Sequence, residues 1–220
     1  KKYDLIMDEE ITIINTNTRN EKIKNFFINN KKKLIIFLST IIILIFGFFI
    51  YQDYKSKNKI KLADKYNLVA MNFASDNNIN VKDQLIEIVR AKDKTYSPLA
   101  LYFLIDNNLV AERDQINSLF DIIINEISLD KEIKNLIIYK KALYNSEFES
   151  ENNLIKILNP IINSESIWRS HALYLMAEYF YSKNQKQKAK EFFNKIISYE
   201  NSNQKIKTEA QKKLNRDFSE

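Results

Sequence analysis

One run constrains this chain more than any other feature: LIIFLSTIIILIFGFFIY, eighteen uncharged residues from Leu34 to Tyr51. As an α-helix it rises about 27 Å, close to the ~30 Å hydrocarbon core of a bilayer. A buried helix of a water-soluble domain shows a polar stripe, and this run shows none. Ser39 and Thr40 are its only clearly polar residues before Tyr51, and a helix can satisfy both internally. Lys31, Lys32 and Lys33 bound the run on one side. Tyr51 and Tyr54 stand at the other, where an aromatic belt sits at a membrane surface. The run is longer than a signal-peptide core, comes after a 33-residue leader and lacks a small-x-small cleavage site. The expectation is an uncleaved single-pass span.

Charge counting orients it only weakly. Within twenty residues of the span the N-terminal side carries Arg19, Lys22, Lys24, Lys31, Lys32 and Lys33, and the C-terminal side carries Lys55, Lys57, Lys59, Lys61 and Lys65. The triple lysine at the boundary tips the positive-inside rule towards a cytoplasmic N-terminus.

The chain thus has three parts: a leader over 1–33, the span over 34–51 and a helical domain over 52–220. In the leader, Lys22 to Asn30 suits either a short amphipathic helix, with Ile23, Phe26 and Phe27 at the membrane interface, or an unstructured polar tail. Beyond the span, no Gly or Pro interrupts the chain until Pro98. Leu62, Tyr66, Val69, Ala70 and Phe73 repeat at helical spacing. The spanning helix is therefore expected to continue to about Ser75, where SDNNIN ends it. Short helices come next: one marked by Val81, Leu85, Ile88 and Val89, one with Ser97 as N-cap and Pro98 in its first turn, and one marked by Ile116 to Ile127. Five more are expected near 131–146, 151–162, 167–183, 185–199 and 204–214. Connections of two to six residues imply antiparallel neighbours.

Composition removes whole classes of chemistry. The chain has one glycine, Gly47, and no cysteine. Gly-rich phosphate loops and thiolate chemistry are therefore excluded, and a hairpin-rich β fold is disfavoured. A single histidine, His171, leaves no His-rich metal site. No cofactor is expected and no enzyme is indicated. Leader and remainder each carry a net charge of +3, too thin a basic footprint for nucleic acid. Lys31 to Lys33 meeting anionic lipid headgroups accounts for the local excess.

The 52–220 region carries an internal period. With Ser170 as position 1 of a 34-residue unit, Leu173, Met176, Ala177 and Phe180 fall at 4, 7, 8 and 11. Ala189, Phe193 and Ile196 fall at 20, 24 and 27. A second unit starts at Asn135, with Ile138, Ala142, Leu154, Leu158 and Ile161 at 4, 8, 20, 24 and 27. A weaker third spans about 97–127, with Leu104, Ile116, Phe120 and Ile123. The pattern resembles the tetratricopeptide repeat (TPR), in which small residues at 8 and 20 let two helices approach and large ones fill the space between them. Position 4 lacks the family's Trp. The expected fold is all-α, a single N-terminal transmembrane helix followed by a TPR-like solenoid of antiparallel helix pairs.

The layout as a whole resembles the ancillary SecYEG translocon subunit family. The resemblance rests on the acidic MDEE at 7–10, KIKNFFINNKKK at 22–33, the span, SPLALYFL at 97–104 and the repeat at 170–197. It implies a bacterial inner-membrane protein with a cytoplasmic N-terminus and a periplasmic repeat domain. That domain would act as a scaffold linking emerging polypeptides, translocon subunits and periplasmic chaperones. The competing reading is an accessory subunit of another membrane complex, with the repeat domain as a protein-interaction spacer.

In TPR-type units, positions 2, 5, 9 and 12 of the first helix face the groove. These are His171, Tyr174, Glu178 and Tyr181 in one unit, and Leu136, Tyr139, Leu143 and Ser146 in the other. The candidate groove is Tyr139, Leu143, His171, Tyr174, Glu178 and Tyr181. Tyrosine offers area and a hydroxyl at low entropic cost, so these residues suit peptide or partner-helix binding. They equally suit packing against the next helix or the C-terminal one. Trp168 is expected as a filler between units, and Lys183, Lys186, Lys188 and Lys190 as a solvated face.

Overall fold

The computed structural model describes residues 18–75 and 80–218. Among them all regular structure is helical and no strand occurs. The acidic MDEE, the Asn-rich stretch after it, and residues 76–79 of the expected break lie outside the described residues. The chain divides into two compact units, Lys1–Ile60 and Lys61–Glu220.

In the first unit, residues 18–29 are helical (α1), the helical alternative for the juxtamembrane segment. The next helix, α2, runs over Lys31–Ala74. Helical bonds cross the junction: Asn30 N–H donates to Phe26 C=O and Leu34 N–H to Asn30 C=O, at 3.0 and 2.9 Å. Ser39 and Thr40 donate their hydroxyls to the carbonyls of Ile35 and Ile36, at 2.8 and 2.9 Å. That local bond is how a hydroxyl avoids an unsatisfied state in hydrocarbon. From Ile35 to Tyr51 every large apolar residue of this run is exposed within the protein, and α2 is long and apolar enough to be a single membrane span. Lys31, Lys32, Lys33, Tyr51 and Tyr54 all lie exposed on it.

In the second unit the last turns of α2 lead into α3 (Val81–Arg90), α4 (Tyr96–Asp106), α5 (Arg113–Glu126) and α6 (Lys131–Asn145). Then come α7 (Glu151–Ile162), α8 (Arg169–Ser182), α9 (Lys186–Ser198) and α10 (Gln204–Asp217). Connections from α3 onward are three to six residues long. From α3 onward each helix packs on its neighbour in the chain, and α3 on α5, α6 on α8 and α8 on α10 add next-but-one contacts. Two apolar clusters result. One joins α3, α4 and α5 to Val69 of α2, with Tyr66 and Phe73 of α2 set edge-on against Phe103. The other joins α6 to α10. Ile124 of α5 packs against both.

The positions marked by the period are the buried ones. Leu173, Met176, Ala177, Phe180, Ala189, Phe193 and Ile196 are all buried. So are Ile138, Ala142, Leu154, Leu158 and Ile161, and Leu104, Ile116, Phe120 and Ile123. Each large side chain so buried contributes roughly 1.5–3 kcal/mol of transfer free energy.

With one glycine in the chain, helix ends needing a left-handed residue use other types: Lys92 (φ 57°) after α3, and asparagine after α4 and α8. Asn108 and Asn184 have φ of 52° and 59°. Beyond them, Leu109 N–H donates to Leu104 C=O and Gln185 N–H to Phe180 C=O, both at 2.9 Å, closing Schellman motifs after α4 and α8. Asparagine tolerates this conformation because its short side chain bonds locally.

Ser97 is not the N-cap expected of it. The helix starts two residues earlier, with Thr95 at the N-cap and Tyr96 first, because the Asp93 carboxylate accepts from the N–H groups of Thr95 and Tyr96, both at 2.8 Å. Ser97 is instead fully buried. Its hydroxyl accepts from Asp93 N–H at 2.9 Å and donates to Ile88 C=O at 3.0 Å, fastening the end of α3 to the start of α4. Pro98 remains in the first turn, where its missing N–H costs nothing.

Candidate functional site on helices α4, α6 and α8

The six candidate groove residues fall into three settings. Tyr139 and His171 meet at the start of α8. The Tyr139 ring stacks on Trp168 with centroids 6.0 Å apart, and His171 stands 5.2 Å from Trp168 and 6.0 Å from Tyr139. Trp168 thus fills the space between α6 and α8, the filler role expected of it. Burial raises the Tyr139 phenol pKa and lowers that of the His171 imidazole.

Tyr174, Glu178 and Tyr181 lie along α8 and are engaged by the C-terminal segment. Lys213 of α10 pairs with the Glu178 carboxylate at 2.9 Å, and its ammonium lies 5.0 Å from the Tyr181 ring centre. Phe218 packs edge-on to Tyr181 and to Phe193, at 5.8 and 5.9 Å, and Tyr174 packs on Phe193 at 5.6 Å. Burial, and then the Glu178 carboxylate beside it, pushes the Tyr174 phenol up to about 12. Of the two uses open to these residues, packing is the one seen: Tyr174 on α9, and Glu178 and Tyr181 against the C-terminal helix and Phe218.

Leu143 differs. It is 43% exposed and lines a cavity of about 350 Å³ between α4, α5 and α6. Its neighbours there include Tyr102 and Asp106 from α4, Phe120 from α5 and Lys140 and Tyr144 from α6. The Tyr102 hydroxyl is buried with no hydrogen-bond partner, and burial pushes its phenol up to about 12. Lys140 Nζ lies 5.8 Å from the Tyr102 ring centre.

Sequence reading missed a set of buried polar bonds between helix pairs. Asn135 donates to Ser166 Oγ at 3.0 Å, and Ser166 donates to Glu132 at 2.7 Å. Ser170 accepts from Ser202 Oγ at 3.1 Å and from Asn203 N–H at 3.0 Å. Asn135 and Ser170 are the first positions of the two clearer units. In both, that position reaches the turn after the pair's second helix, 31 to 33 residues on. The available signal was a small polar residue at position 1 of each unit. Nothing in the sequence alone named the partner turns.

Lys183, Lys186, Lys188 and Lys190 are exposed, and Lys188 pairs with Glu151 at 2.8 Å. Among the described residues no group of three or more His, Asp or Glu side chains is placed to hold a metal ion. Comparison with protein-family models, with curated proteins and with solved structures found no match.

Proposed function

We propose that this protein is a membrane-anchored, TPR-like adaptor of the bacterial inner membrane, with a cytoplasmic N-terminus and a periplasmic helical domain. It associates with the Sec translocon and links emerging polypeptides to periplasmic chaperones. The role needs no bond-making chemistry and no cofactor. The observation that supports it best is the pairing of one candidate span with helix pairs whose repeat positions are buried throughout. Such pairs present side chains of successive first helices along one face, as repeat scaffolds do. Tethering by the span raises the effective concentration of any partner held there.

The test is affinity purification of the tagged full chain in mild detergent. Translocon subunits are the expected co-purifying proteins, and repeated recovery of only unrelated complexes overturns the assignment. Protease added to spheroplasts is expected to cleave the 52–220 domain, and full protection overturns the orientation.

A second reading draws on a different observation. The engagement of Glu178 and Tyr181 by α10 and Phe218 suits a permanent spacer in some other membrane complex better than transient client binding on that helix. Stoichiometric recovery of one such complex would favour it.

A further inference from the structure

The cavity of α4, α5 and α6 is where the adaptor reading acquires a ligand class. We propose that this cavity binds an extended peptide segment in which an aliphatic side chain adjoins an acidic one. The aliphatic group packs on Leu143 and Tyr144, and the carboxylate accepts from Lys140 Nζ and, once its cover is displaced, from Tyr102 Oη. This rests on the reading of the domain as a polypeptide-binding scaffold.

Three observations carry it. The first is the buried hydroxyl of Tyr102, which has no partner. An unsatisfied buried donor costs free energy that an incoming acceptor recovers. The second is Lys140. Its ammonium lies 5.8 Å from the Tyr102 ring centre, and among the described residues no carboxylate stands within ion-pair distance of it. Its neighbour Lys141, by contrast, is paired with Asp121 at 2.6 Å. The cavity wall therefore carries one unpaired cation, and behind it a phenol donor that a ligand reaches only by displacing what covers it. The third is the remaining lining. Leu143 is an exposed leucine beside the half-buried Tyr144, with Phe120 fully buried behind them, which suits an apolar side chain of modest size.

Asp106 decides between a peptide and a fatty acid. It lines the same cavity and makes no ion pair or hydrogen bond among the described residues. A peptide brings backbone N–H donors for it alongside the carboxylate for Tyr102 and Lys140. A fatty acid brings an acceptor only, and would leave Asp106 facing a second anion.

The experiment uses the full chain in lipid nanodiscs and a fluorescein-labelled peptide amide, Gly-Ser-Leu-Glu-Leu-Ser-Gly, read by anisotropy. Control peptides replace its Glu by Lys, or both Leu by Ser. The acidic–aliphatic peptide is expected to bind and both controls to bind at least roughly tenfold more weakly, since each lost element is worth about one tenfold step. Tyr102→Phe keeps the ring and removes the donor, and should weaken binding roughly fivefold to tenfold. Lys140→Met, at an exposed position, should do the same and abolish the salt dependence of binding. Lys188→Met, away from the cavity, should change nothing.

Equal binding of all three peptides, or wild-type affinity in the Tyr102→Phe, Lys140→Met double variant, overturns the proposal. So does binding of dodecanoate, sensitive to Tyr102→Phe, with no peptide bound. If no peptide binds while translocon subunits still co-purify, this site falls and the adaptor reading stands. If the peptide binds in the expected pattern while only unrelated complexes co-purify, the site stands and the translocon assignment falls.

Discussion

Two stretches of the candidate face meet different ends. Along α8, Tyr174, Glu178 and Tyr181 are occupied from within the chain: Lys213 takes the carboxylate, and Phe218 packs against Tyr181 and the Phe193 beneath Tyr174. Between α4 and α6, Leu143 stays exposed and Tyr102 keeps an unpartnered hydroxyl. Both stretches draw on the same residue types, tyrosine with one or two charges and a buried phenylalanine beneath. The difference lies in the helix that covers each. After α8 and α9 the last described helix, α10, folds back onto α8. It buries only Ala210 fully, while Ile206 and Leu214 pack partly against the core. A terminal helix with a polar outer face is what the end of a stacked array requires. Among the described residues no such end helix falls on α4 and α6.

The largest expected effect separates filling from exposure. Phe193 is fully buried beneath Tyr174 and Phe218. Phe193→Ala should cost about 3–5 kcal/mol, the transfer and cavity terms together. Leu143→Ala, at a position nearly half exposed, should stay within about 0.5 kcal/mol. Denaturant unfolding followed by the fluorescence of Trp168, the single tryptophan, measures both. Equal costs would break the contrast between the two stretches.

Next in size is the polar bond that seats α10. Ser170 is buried and accepts from the Asn203 N–H and the Ser202 hydroxyl. Ser170→Ala leaves those donors unpaired and should cost about 1–3 kcal/mol. Hydrogen exchange should rise first at residues 199–204, the turn before α10. Exchange that rises uniformly across the domain would show that Ser170 does not hold that turn in particular.

A smaller effect belongs to the charge pair above it. Lys213 and Glu178 side chains are 22% and 36% exposed, so solvent screens their attraction. Lys213→Met should cost less than about 1 kcal/mol, and the loss should shrink in high salt. A salt-independent loss would assign the effect to the stem of Lys213 packed over Tyr181 rather than to its charge.

These particulars also mark what the sequence made legible. The span, the continuation of α2 to Ala74 and the later helices come from apolar period and polar breaks, which are local quantities. Ala142, Ala177 and Ala189 sit in the core because close helix packing needs small residues, and the period finds them. The state of the groove was not legible. Whether Glu178 and Tyr181 are covered depends on α10 returning to α8, a contact about 35 residues away in sequence. Ser97 misled for a related reason. A serine before a proline reads as an N-cap, but Asp93 takes the free N–H groups and releases Ser97 to bond across to Ile88. Tyr102 and Lys140 carry no motif at all. Their pairing is created by the packing of α4, α5 and α6 around one cavity.

The smallest expected effect tests both stretches at once by titration. Tyr102 on the open side and Tyr174 on the filled side are each pushed up to about 12 from an ordinary value of 10.0, burial being the largest cause in both. In the unfolded chain a tyrosine releases its proton near the ordinary value, whereas these two hold theirs to about 12 when folded. Above pH 10 the unfolded state therefore binds fewer protons than the folded one, and stability falls as pH rises. The contribution is present in full below pH 10 and is lost progressively between 10 and 12. Tyrosinate absorbance of the folded chain should show a late component, and Tyr102→Phe and Tyr174→Phe should each remove part of it. Saturation with the acidic–aliphatic peptide should delay the Tyr102 step further, since a carboxylate beside a phenol opposes its ionisation, and leave the Tyr174 step in place. Movement of both steps together would mean that the peptide reaches the α8 stretch as well, and that α10 yields to it.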